Sequence, residues 1–152
     1  MDSEKLSIFD FMYDTYKITK PIRLIELFAG YGSQSFALDY LNVKHENHKI
    51  VEWAIPSIIA YADAHSTDTT DYAKDLSKQD IAQELYKMGV SADYNKPATL
   101  EQLNRFKEDK LRLVYNSIKR TNNLVDISRV KGVDLEVTNS DMFDYVLTYS
   151  FP

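Results

Sequence analysis

Two small groups of residues in this chain could do chemistry together. The first is the run Phe28, Ala29, Gly30, Tyr31, Gly32, Ser33, whose two glycines, with Ala29 beside them, let the backbone approach a ligand closely. The second is the pair Glu52-Trp53, roughly 20 residues further on, where an acid ends a second strand and holds a ribose in nucleotide-binding sheets. A carboxylate for two ribose hydroxyls, followed by a large flat ring for a purine face, is what an adenosine-containing cofactor asks for. Taken alone, a Gly-x-Gly turn serves equally well as a plain tight turn. Position 35 is Ser, so the third glycine of the dinucleotide fingerprint is missing.

The surrounding elements must bring these groups to one rim. Ile22 to Leu27 is apolar except for Arg23 and Glu26, which predicts a mostly buried parallel strand. Ser33 and Gln34 open a helix with Phe36, Ala37, Tyr40 and Leu41 at helical spacing, ending near Asn42, and its start offers free N–H groups. Lys44 to Asn47 reads as a polar turn and His48 to Glu52 as the second strand. Pro56 suits the first turn of another helix, with Ile58, Ile59 and Ala62 facing in, before a polar loop from His65 to Asp71. Upstream, Leu6, Phe9 and Tyr13 predict a short helix over Leu6 to Tyr16 that packs on the sheet edge.

A helical insertion at about 67–122 then interrupts the alternation. Ser77 to Asp80 and Thr99 to Gln102 are capping boxes. The first helix has Ile81, Leu85 and Met88 inside and stops at Gly89. The second is predicted to run to about Lys119, with Leu103, Phe106, Lys110, Leu113, Val114 and Ser117 on one side. Val90 to Ala98, containing Asp93-Tyr-Asn-Lys-Pro97, reads as loop. Asn123 to Ile127 is predicted to be a short strand, bringing Asp126 to its end. Ser128 to Leu135 is ambiguous, and Tyr145 to Pro152 is predicted to be a buried strand introduced by Asp144.

Composition narrows the function classes. At 152 residues, with 44% hydrophobic and 27% charged, the chain is one soluble domain's worth. No apolar run suits a membrane span and the start lacks a signal peptide's apolar block, so a cytoplasmic location without membrane attachment is expected. There is no cysteine, which removes disulfides, thiolate metal sites and a Cys nucleophile within this chain. The three histidines, His45, His48 and His65, support no zinc site and read as surface or strand-edge residues. A net charge of −5 does not suit a stand-alone nucleic-acid binder. Lys107, Lys110, Arg112, Lys119 and Arg120, diluted by Glu108 and Asp109, read as a solvated helix face.

Taken in order, these pieces resemble the DNA (cytosine-5)-methyltransferases, the phage and bacterial modification enzymes. Leu27 to Gly32 is similar to the family's first motif, the loop around the methionine part of S-adenosylmethionine. Glu52 and Trp53 resemble its second, with Glu52 on the ribose and Trp53 against the adenine. Asp126-Ile127 is similar to its third, the acid accepting from the adenine amino group. Asp144 to Pro152 resembles the strand leading into the catalytic Pro-Cys motif. The resemblance implies a Rossmann-like α/β fold, a truncated parallel sheet with flanking helices, and a cofactor site of Phe28, Ala29, Gly30, Tyr31, Gly32, Ser33, Glu52, Trp53, Asp126, Ile127 and Pro152. Ser33 stands where the family usually has glycine, which is tolerable if its φ is negative.

In that family a cysteine thiolate adds to cytosine C6 so that C5 can accept the methyl group, after the base is flipped from the helix. This chain ends at Pro152, one residue short of the expected cysteine. The expectation is therefore the cofactor-binding half of such an enzyme, a single partial domain over 1–152. It would be inactive alone, would meet DNA through a missing C-terminal part, and would self-associate through its exposed sheet. Two other readings compete: a non-catalytic module with the same fold, and an NAD-dependent Rossmann enzyme. The missing third glycine and Trp53 count against the latter.

Overall fold

The computed structural model of the chain describes residues 18–149, so the helix expected over Leu6 to Tyr16, and Pro152 with the end of its strand, lie outside the described residues. Strand β1 (Ile22–Leu27) keeps the bounds that its composition predicts. It is followed by helix α1 (Ser33–Tyr40), strand β2 (His45–Val51) and helix α2 (Ile55–His65). Helices α3 (Lys78–Met88), α4 (Leu100–Asn104) and α5 (Glu108–Arg120) come next, then a 3-10 turn over Gly132–Leu135 and strand β3 (Asp144–Tyr149). Among the described residues the result is α/β, a three-stranded parallel sheet in the order β2-β1-β3 with flanking helices. Leu27 pairs with Val51 on one side and Tyr149 on the other, so the three strands end on one rim. Ligands of open parallel sheets bind at this carboxyl rim.

Four expectations need correction. The second strand begins at His45 rather than His48. The polar Lys44 to Asn47 stretch joins the ladder, where Ile22 N–H donates to the Lys44 carbonyl and Arg23 pairs with Glu46. The helix from Thr99 is not continuous. Lys107, extended at ψ 149°, restarts it, and Glu108 and Asp109 supply the acidic first turn that favours a new N-terminus. Of the predicted stripe Leu103, Val114 and Ser117 are buried, whereas Leu113 is exposed and Leu111, Tyr115 and Ile118 go inside. No strand forms over Asn123 to Ile127. One parallel bridge joins Asn123 to Ile50, and Val125 then turns left-handed at φ 63°. Finally, β3 is not buried. Among the described residues only β1 flanks it, and Leu147 is 50% exposed.

Both capping boxes form as read, and Gly89 ends α3 in the left-handed conformation at φ 82°. The larger cluster of buried side chains lies among the helices, with Ile55, Ile58, Ile81, Leu85, Leu103, Leu111, Val114 and Ile118. Of the basic stretch, Lys107, Lys110 and Lys119 are exposed, whereas Arg112 and Arg120 donate to the carbonyls of Ala73, Leu76 and Thr70. Among the described residues no helix is long and apolar enough to cross a membrane.

Candidate functional site

At the carboxyl rim the chain leaves β1 through three left-handed residues: Phe28 at φ 56°, Gly30 at 54° and Gly32 at 80°. Gly32 is required twice over. Its φ is one that side chains rarely adopt, and a Cβ there would come within 2.3 Å of His65 Nε2 and 2.8 Å of Tyr61 Cε2. A Cβ at Gly30 would meet nothing within 4 Å, so this glycine serves the turn and leaves open space beside the backbone. Ser33, the first residue of α1, has no positive φ, which meets the condition for serine at that place.

The two groups singled out from the sequence are in direct contact. Gly30 N–H donates to Glu52 Oε2 at 2.9 Å, and Ala54 N–H donates to Glu52 Oε1 at 2.7 Å. A carboxylate offers about four acceptor positions, so each oxygen keeps one for a ligand hydroxyl. Around them lies a cavity of about 820 Å³ lined mainly by apolar atoms. Phe28, Gly30, Tyr31, Glu52, Trp53, Asp126 and Ile127 all line it. Ala29, Gly32 and Ser33 do not: Ala29 is buried beneath the turn with its N–H on the Val51 carbonyl, and the other two form the start of α1. Pro152 lies outside the described residues.

Asp126 reaches the cavity wall, but its oxygens already have partners. Oδ1 accepts from Ser128 N–H and Oγ at 3.0 and 2.7 Å, and Oδ2 pairs with Arg129 Nε at 2.9 Å. Its segment is held by Asn123 instead of by a strand ladder. The Asn123 side chain accepts from Glu52 N–H (3.1 Å) and Val125 N–H (2.9 Å) and donates to the Glu52 carbonyl (2.9 Å). One buried amide therefore pins the Asp126 wall to the Glu52 wall. Sequence reading gave Asn123 only a strand position.

Beneath the turn sits a second carboxylate, that of Glu26, 1% exposed. It accepts from Tyr61 Oη at 2.5 Å and from Ser35 N–H at the start of α1. Burial raises the Glu26 carboxyl above its ordinary value, with the hydrogen bonds from Tyr61 and Ser35 opposing. Burial, together with the neighbouring Glu26, also raises the Tyr61 phenol, so Tyr61 remains the donor. His45 and His48 lie on the outer strand β2, in keeping with the surface or strand-edge reading, and all three histidines are hydrogen-bonded. His45, its side chain 8% exposed, bonds Ser35 Oγ; His48 bonds the Leu135 carbonyl; and His65 Nε2 donates to the Tyr31 carbonyl at 2.8 Å. Ser57, Tyr94, Pro97 and Ser128 also line the cavity and were missed, because tertiary folding brings them there without a local pattern.

No protein-family model matches the chain. It is 33% identical over 141 residues to the orphan methyltransferase M.SssI of Spiroplasma monobiae, covering 88% of this chain and 34% of that protein. It is 28% identical over 131 residues to the type II methyltransferase M2.ScrFI of Lactococcus lactis subsp. cremoris, covering 86% of this chain and 35% of that protein. The chain thus spans about a third of the length of the relatives it matches.

Proposed function

The chain is a homologue of the N-terminal portion of DNA (cytosine-5)-methyltransferases, and from that premise we propose that it is the part of such an enzyme that binds S-adenosylmethionine. The observation that carries this reading is the hydrogen bond from Gly30 N–H to Glu52, which joins the glycine turn to the ribose-type acid at the mouth of an apolar cavity. In this reading Glu52 receives the ribose hydroxyls, and Trp53 and Ile127 offer apolar faces to the adenine. The turn at Gly30 and Tyr31 encloses the amino-acid arm. When bound, the cofactor supplies an electrophilic methyl group on a sulfonium. The fold in this reading is the Rossmann-like methyltransferase fold.

Glu26 argues against the NAD reading. A dinucleotide needs the N–H groups at the start of the first helix for its pyrophosphate. Here the Ser35 N–H is already taken by the buried Glu26 carboxyl. S-Adenosylmethionine carries no phosphate and meets no such conflict.

The whole enzyme's reaction, methyl transfer to cytosine C5 in DNA, belongs to the same proposal. These 152 residues hold no cysteine, so in this reading the covalent step on cytosine needs a thiol from outside them, and DNA contact is assigned there too. Calorimetric titration of the purified chain should show S-adenosylhomocysteine binding and no NAD binding. Glu52→Ala should weaken the former by about 10- to 100-fold, the worth of a charge-assisted pair of hydrogen bonds. Tighter binding of NAD than of S-adenosylhomocysteine would sink the proposal.

A further inference from the structure

We infer that the loop 91–97 of the helical segment is a working wall of the cofactor pocket, with Tyr94 contacting the adenine side of the bound ligand. This deepens the reading above and rests on it. The loop is tied into the rim itself. Ser91 N–H donates to the Trp53 carbonyl at 2.7 Å, and Ile55 N–H donates back to the Ser91 carbonyl at 2.9 Å. Ser91 thereby bridges Ala54 on one side and Pro97 on the other, closing the loop at its base beside Trp53.

Inside the loop the bracing continues. Ser91 Oγ donates to the Lys96 carbonyl at 2.7 Å, Asp93 Oδ1 accepts from Asn95 N–H at 3.1 Å, and Asn95 Nδ2 donates to the Asp93 carbonyl at 2.9 Å. At the tip is Tyr94, held left-handed at φ 66°. That conformation is strained for a bulky residue. The ring does not recover the cost by packing, since it is 55% exposed and belongs to neither cluster of buried side chains. Yet Tyr94 and Pro97 line the same cavity as Trp53 and Ser57. A strained, braced and exposed aromatic ring at a cavity wall is positioned for an occupant. The occupant's flat group is the adenine, because the loop is anchored to the backbone of Trp53, the residue assigned to the adenine face.

The test separates binding from folding by exploiting the strain. Tyr94→Gly relieves the left-handed backbone and removes the ring; Tyr94→Phe keeps the ring. Titrations with S-adenosylhomocysteine and with adenosine are read beside thermal melts of the ligand-free proteins. The expected result is an unchanged or raised melting temperature for Tyr94→Gly, with affinity for both ligands lowered about 5- to 100-fold, the range of a base–aromatic stack. Tyr94→Phe should bind within about 3-fold of wild type. Equal affinity of wild type and Tyr94→Gly overturns the inference, and so does a parallel loss of melting temperature and affinity. Failure of the wild-type chain to bind S-adenosylhomocysteine would instead overturn the function on which it rests.

Discussion

Glu26 sits under the glycine turn with both carboxylate oxygens accepting, one from the helix start at Ser35 and one from Tyr61. Its burial favours the protonated form, so its pKa in the folded chain lies above the ordinary 4.5. An acid with a raised folded value adds stability below its unfolded value, and that stability is lost as pH rises through the folded one. Glu26→Gln stays neutral throughout, its amide donating to Tyr61 Oη while its carbonyl accepts from Ser35. Urea unfolding between about pH 4.5 and 8 should therefore show wild type losing stability relative to Glu26→Gln as pH rises. A gap that does not change with pH would show that the buried carboxyl titrates as it does in the unfolded chain.

Asn123 does for the Asp126 segment what a ladder of backbone bonds would do for a strand. Its three side-chain hydrogen bonds join the end of β2 to residues 123–127. Asn123→Ala leaves the Glu52 N–H and carbonyl unsatisfied and should lower stability by about 2–3 kcal/mol in urea unfolding. A loss below about 0.5 kcal/mol would mean that water replaces the amide. This element also marks the boundary of what sequence could reveal. β1, the two capping boxes and the Gly89 stop are written in adjacent residues, so they were legible. The break at Lys107 and the false strand at Asn123 depend on contacts between distant segments, which no window of residues records. In the site, Gly30, Glu52, Trp53, Asp126 and Ile127 were readable from motif order. Tyr94, Pro97 and Ser57 were not; a tyrosine between Asp93 and Asn95 signals only a turn.

Across the molecule, exposed apolar side chains collect on the outer elements. Phe36 within α1, Tyr40 at its end and Leu41 just past it, with Met142 before β3 and Leu147 in it, are all solvent-facing. Among the described residues β3 is flanked by β1 alone, and a strand edge of that kind would serve as a template for pairing. Sedimentation velocity should show a concentration-dependent dimer, suppressed by Leu147→Lys, and a clean monomer at high micromolar concentration would count against edge pairing. The cavity has a consequence of its own at this scale. Its walls come from two unequal halves: strand ends over the small cluster of Ala29, Ile50 and Tyr61, and a loop rooted in the much larger helical cluster. Any molecule that fills it spans that seam. Its binding energy then resists their separation, so amide exchange in the weaker half should slow to the pace of the stronger.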